Sequence, residues 1–366
     1  MPGPVPRRNG AAAGALPPVG ALPMKSRMLP LLGVALAATA NLALAYDWQA
    51  LPPKPPVPAD NPQTPAKVEL GKVLYHDPRL SSTGTVSCAS CHSMMEGGDD
   101  HRPVSLGVRG QAGTRNAPTV WNSAYHSAQF WDGRAPSLEE QAKGPITNPI
   151  EMGMPDLNSA VDRLRAIPGY APLFAKAFGA GDAITVDHVA KAIAAYERTL
   201  VTPDSPYDHF VHGDRKALTA QQQRGMKAFA DTGCVACHAG PNFDGPPMPA
   251  GTPYLVKFPT FTDNSYVARY RLDADPGRFA STGKEEDRHM WRVPTLRNLV
   301  YTAPYFHNGS VKSLPEAARV MAKVQLGRDL DDATAADIAA FLESLSGKLP
   351  DQTMPHLPPT PGALIE

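Results

Sequence analysis

Two pentapeptides carry the most reactive side chains of this sequence: Cys88-Ala89-Ser90-Cys91-His92 and Cys234-Val235-Ala236-Cys237-His238. Two thiols about one helical turn apart can each add to one vinyl group of a single porphyrin. The imidazole that follows then reaches the iron from the proximal face. The chain has four cysteines, and the two motifs use all of them. Two disulfides would suit an exported protein, and zinc would need a further cysteine pair to complete four ligands. The spacing predicts neither. It predicts two covalently bound haems c, with His92 and His238 as proximal iron ligands.

Elements must hold these motifs in place, and the sequence predicts them twice. Ala117-Pro-Thr-Val-Trp-Asn122 echoes Val293-Pro-Thr-Leu-Arg-Asn298, which sets Pro118 against Pro294. At the same offset Phe130-Trp-Asp-Gly133 matches Phe306-His-Asn-Gly309, and Ser137-Leu138 matches Ser313-Leu314. Ala195-Tyr-Glu-Arg-Thr-Leu200 echoes Ala340-Phe-Leu-Glu-Ser-Leu345. Self-similarity of this kind marks repeated units. Val189, Ile193, Tyr196 and Leu200 fall on one helical face within 186–200. Pre-haem helices are expected over 66–75 and 220–231. Thr219-x-x-Gln222, Ser313-x-x-Glu316 and Thr334-x-x-Asp337 read as helix starts. No sustained period-2 pattern occurs. The expected fold is mainly α: two tandem cytochrome-c-like haem domains related by internal duplication.

Where the halves differ, chemistry is expected to differ. A haem that only transfers electrons needs a sixth ligand, and methionine sulfur raises its potential. Met321 lies on the helix expected from Ser313, with Met290 and Met248 as rivals in looser segments. The first half has Pro145 at the position matching Met321, and its loop region carries Gln141 and Glu151. A carboxylate beside an open haem face can move a proton between the two oxygens of a peroxide.

The 366 residues suffice for two ordinary domains, and Lys plus Arg equals Asp plus Glu. A balanced chain gives no argument for nucleic acid or an anionic membrane as partner. Lys25 and Arg27, the apolar run 29–40 and Ala43-Leu44-Ala45 read as an export signal with a mature start at Tyr46. An uncleaved anchor is the competing reading, and residues 1–23 precede a signal already complete from Met24. The forty prolines cluster toward the ends, which read as extended or mobile. The expected boundaries are a signal peptide with upstream extension (1–45), a Pro-rich linker (46–65), a peroxidatic haem domain (66–201), an electron-transfer haem domain (202–347) and a Pro-rich tail (348–366).

From about Lys67 to Gly347 the chain resembles the bacterial dihaem cytochrome c peroxidases. The resemblance rests on both C-x-x-C-H motifs, Arg115-Asn-Ala-Pro-Thr119, Gln129-Phe-Trp-Asp-Gly-Arg134, Glu151-Met152, Pro294-Thr-Leu-Arg-Asn298 and Thr302-Ala-Pro-Tyr-Phe-His307. It implies a periplasmic enzyme that reduces hydrogen peroxide with electrons from a small c-type cytochrome or a copper protein. His92 would hold the low-potential peroxidatic haem. His238 would hold the high-potential one together with Met321, which stands at the family's spacing after His307. Glu151 would be the acid–base group, Gln141 its distal companion, and Trp131 part of the electron path. A calcium ion is implied at Asn116 and the carbonyls of Thr302 and Pro304, an oxygen-rich set that suits a hard cation. A homodimer is also implied, although no interface signature is visible in the sequence.

One position departs from the family. Many members carry a histidine on the loop that follows the proximal one, where it blocks the peroxidatic iron at rest; here that position is Val108. Either the iron is open at rest, which is the favoured expectation, or His101 on the same loop substitutes. Two rival functions accompany the resemblance. One is a dihaem oxidant of a protein substrate, like the relative that matures the methylamine dehydrogenase cofactor and has tyrosine in place of Met321. The other is a plain dihaem electron carrier.

Overall fold

Helices dominate the first half of the computed structural model, which describes residues 46–360 together with Gly3 and Gly362. The expected export signal therefore lies outside the described residues. The helices are α1 (Pro65–His76), α2 (Cys88–Cys91), α3 (Leu138–Thr147), α4 (Leu157–Arg165), α5 (Tyr170–Phe178) and α6 (Val186–Glu197). The second half adds α7 (Pro206–Val211), α8 (Ala220–Thr232), α9 (Ser265–Tyr270), α10 (Phe279–Thr282), α11 (Leu314–Leu326) and α12 (Asp332–Glu343). The only sheet among the described residues pairs β1 (Leu255–Lys257) with β2 (Met290–Arg292), antiparallel.

Each half is built on a crossed helix pair. In the first, α1 packs on α6; in the second, α8 packs on α12. A glycine sits at each crossing. A Cβ on Gly71 would lie 1.8 Å from the Ala192 carbonyl oxygen, and one on Gly225 would lie 1.8 Å from that of Asp337. No larger residue permits these approaches. Apolar cores fill in around the pairs, one with Leu74, Tyr196 and Leu200, the other with Phe229, Phe341 and Leu345.

The duplication extends to the backbone. Asn122 and Asn298, and Phe130 and Phe306, all have positive φ, as do Gly133 and Gly309. The isolated bridge Gln129↔Ala135 recurs as Tyr305↔Val311. Left-handed backbone is uncommon for asparagine and rarer for phenylalanine, so its recurrence at matched positions of the two halves reflects one inherited loop design.

Two helix starts differ from expectation. Thr219 and Gln222 form the capping box, but Ser313 makes no side-chain cap. Glu316 instead accepts from Tyr270 at 2.6 Å and from Arg319. At α12 the cap is Asp331, which accepts from the Thr334 amide, so Thr334 lies inside the first turn.

The proline-rich ends are extended, as expected, but they are not loose, and each docks on the opposite half. Trp48 packs edge-on against Tyr207 and Phe341, and the Leu51 amide donates to Asp208 at 2.8 Å. At the other end, Arg79 donates to the Pro358 carbonyl and to Thr360, and Lys72 donates to Thr353. Asp208 is also the partner of Arg297, with both side chains at most 2% exposed. Removing one member of such a pair leaves an uncompensated buried charge. Arg297→Ala is expected to cost about 3–5 kcal/mol, read as a lowered denaturant midpoint.

Candidate active site

The first cavity, about 350 Å³, is lined by Cys88, Cys91 and His92. The cysteines bracket α2, at whose start the Ser87 amide donates to Ser90 Oγ at 3.0 Å, and all four cysteines of the chain are unbridged. His92 Nδ1 faces the Gly98 carbonyl at 3.3 Å, which leaves Nε2 as the remaining ring nitrogen. Burial holds this imidazole below its ordinary pKa, which favours the neutral form that can ligate a metal. Thr119 pins the loop by donating to the Gly97 carbonyl at 2.6 Å.

A second cavity, about 180 Å³, repeats the arrangement with Cys234, Cys237 and His238. His238 Nδ1 faces the Phe243 carbonyl at 2.9 Å. Thr295, the repeat partner of Thr119, donates to the Asn242 carbonyl at 2.7 Å. The Pro-Thr motif thus has one task in both halves: it ties down the loop whose carbonyl orients the proximal histidine. Paired thiols at an apolar cavity and an imidazole held by a backbone carbonyl fit a c-type haem.

Met321, from α11, lines the second cavity together with His238. Its rivals do not line it, Met290 lying on β2 and Met248 in the loop before β1. The first cavity receives Pro145 at the matching place, and also Gln141 from α3 and Glu151 from the turn that follows. Asn148 Nδ2 donates to Glu151 Oε1 at 2.7 Å. Burial raises the Glu151 carboxyl pKa, opposed by the nearby Arg134 charge and by the Asn148 bond.

Val108 is fully buried in the apolar core and does not line the first cavity. Its amide donates to the Glu151 carbonyl at 2.8 Å, so its loop braces the turn that carries Glu151. His101 does not line the cavity either. Its side chain is 43% exposed, with Nδ1 3.3 Å from the Ala303 carbonyl. In this conformation neither residue of that loop faces the haem site.

Trp131 lines both cavities, and its Nε1 donates to the Asn116 carbonyl at 2.8 Å. The Asn116 side-chain amide donates to the Arg102 carbonyl at 2.7 Å. Asn116 Oδ1 and the carbonyls of Thr302 and Pro304 accept no hydrogen bond among the described residues. These free oxygens fit a hard cation.

Among the cavity residues with no sequence-based role are Arg134 and Glu197. Arg134 lines the first cavity and pairs with Asp132 at 2.9 Å. Glu197, 4% exposed, also lines it, with Oε2 unpartnered and its carboxyl pushed up to about 8 by burial. The repeat itself carried the signal for Glu197: its counterpart is Leu342, which lines the second cavity.

A family model described as di-haem cytochrome c peroxidase matches residues 65–216. The chain is 46% identical to the cytochrome c551 peroxidase of Pseudomonas aeruginosa, covering 91% of this chain and 96% of that one. It is 41% identical to the cytochrome c551 peroxidase of Nitrosomonas europaea, covering 92% and 97%. Among solved structures it is similar to a MauG-like protein associated with microbial copper homeostasis, with TM-score 0.70 and 32% identity, covering 83% of this chain and 96% of that one.

Proposed function

The chain belongs to the di-haem cytochrome c peroxidase family, and from that premise we propose which of its residues carry the reduction of hydrogen peroxide. The observation that supports the assignment most is the asymmetry of the two cavities. Glu151, Gln141 and Arg134 line the first, and Met321 lines the second.

Cys88, Cys91 and His92 would hold a haem, which would supply the redox capacity that cleavage of the O–O bond requires. The other residues of the cavity handle the protons. Glu151 takes a proton from one oxygen of hydrogen peroxide and delivers it to the other, which departs as water. Gln141 orients the peroxide, and Arg134 favours the carboxylate form of Glu151 and the negative charge that develops on the departing oxygen. With two further protons and two electrons, the products are two waters. Cys234, Cys237, His238 and Met321 would hold the second haem, which would receive electrons from a small cytochrome c or copper protein in the periplasm, with Trp131 standing between the two cavities. Asn116 and the carbonyls of Thr302 and Pro304 would hold a calcium ion, which would tie the two halves together.

No histidine of the 101–108 loop faces the first cavity, so the fully oxidised enzyme is expected to turn over peroxide without prior reduction. The test mixes oxidised enzyme with reduced cytochrome c and peroxide, with and without prior one-electron reduction. Equal rates support an open first site. Activity only after reduction assigns a blocking ligand from elsewhere in the chain. No activity with competent donors overturns the peroxidase assignment in favour of a protein oxidant or an electron carrier. Two low-spin haems at every redox poise would single out the carrier.

A further inference from the structure

Asp99 is the most conspicuous group that this mechanism leaves unused. Its side chain is 1% exposed, and neither carboxylate oxygen has a hydrogen-bond partner. The nearest basic side chain, His101, has Nδ1 3.8 Å from Oδ1, beyond hydrogen-bond reach, and directed to the Ala303 carbonyl at 3.3 Å. A carboxylate taken out of water without donors or a counter-charge is costly, and such a group persists where something absent from the protein chain offsets it.

The surroundings indicate what that is. The loop carrying Asp99 interlocks with the segment 301–309 of the other half. A Cβ on Gly97 would lie 2.6 Å from the Tyr301 carbonyl oxygen, and one on Gly309 would lie 2.4 Å from Pro103 Cα. Asn116 is clamped between the two segments, donating from Nδ2 to the Arg102 carbonyl at 2.7 Å and from its amide to the His307 carbonyl at 2.8 Å. The free oxygens of Asn116, Thr302 and Pro304 are all neutral. The chemistry of such a set is a hard divalent cation held by dipoles alone, and ligand charge is a main determinant of affinity for such ions.

We propose that Asp99 is the charged member of the calcium site at Asn116, Thr302 and Pro304, joining both halves through one ion. This rests on the calcium reading given above and adds a residue to it. The ion neutralises a carboxylate that the protein leaves unpaired, and the carboxylate gives the site an anionic ligand beyond the three neutral oxygens.

The test titrates calcium chloride calorimetrically into holoenzyme stripped with EGTA, and records thermal unfolding with and without the ion. Asp99→Asn is expected to weaken calcium binding at least tenfold. In EGTA it is expected not to lower the unfolding midpoint, because the uncompensated charge is gone, while most of the increment that calcium gives the wild type is lost. Asp99→Ser serves as the second variant should the first fail to accumulate. Affinity within twofold of wild type in both variants overturns the proposal. Asn116→Ala, measured alongside, separates the two readings. If it abolishes binding that Asp99→Asn retains, the site stands without Asp99. If neither change matters, calcium is not held here and both readings fall.

Discussion

Glu151→Gln is expected to slow peroxide turnover by about 10²–10⁴-fold with both haems still attached. Glutamine keeps the size of the side chain and an oxygen that can accept from Asn148, so the turn and its bracing by the Val108 loop survive. What disappears is the ability to accept a proton from one oxygen and return it to the other. The pH profile distinguishes this from a structural effect. Burial raises the Glu151 pKa, so the carboxylate is lost, as pH falls, sooner than for an ordinary glutamate. Wild-type kcat/KM should therefore fall on an acid limb set above the usual glutamate range, and the variant should lose that limb. Equal turnover by the variant would remove Glu151 from the chemistry.

Met321→Leu is expected to lower the reduction potential of the second haem and to stall electron entry, leaving the spectrum of the first unchanged. Leucine matches the volume and preserves the packing of α11 while removing the sulfur. Axial ligands move haem potentials over about 0.8 V. A drop of only a tenth of that, about 80 mV, makes electron uptake from the donor more than tenfold less favourable, since about 59 mV is tenfold for one electron. Potentiometric titration of both haems checks this. An unchanged second potential would return Met290 and Met248 to consideration.

The parts of this molecule visible in its sequence are those fixed by short-range chemistry. Covalent attachment forces the C-x-x-C-H spacing, and helix limits within a residue or two follow from periodicity and Thr219 capping. The offset shared by the Pro118 and Pro294 segments pairs their loops in the sequence; the positive φ common to Asn122 and Asn298 is seen only in the structure. Features decided by distant partners were not visible. Ser313 loses its box because Glu316 is engaged by Tyr270, 46 positions away. Spacing favoured Met321 over Met290 and Met248, but that it shares a cavity with His238 follows only from the packing of α11. Proline content announced extended ends, but their docking depends on partners such as Lys72 and Thr353, 281 positions apart. Asp99 carries no signal in the sequence, because an aspartate in a glycine-rich loop is ordinarily solvated; its isolation appears only when the two halves close over it.

The crossed ends bear on how the protein is made. A polypeptide emerges amino end first, so the first Cys-x-x-Cys-His appears long before the tail that completes the surface around Arg79. At synthesis rates of about 5–20 residues per second, that interval is roughly 10–50 s. Trp48 waits similarly for Tyr207, Phe243 and Phe341. The contacts of Arg79 with Pro358 and Thr360, and of Lys72 with Thr353, can therefore form only after the first pair of thiols has emerged. That order leaves an interval in which thioether bonds would form before the tail covers the first half.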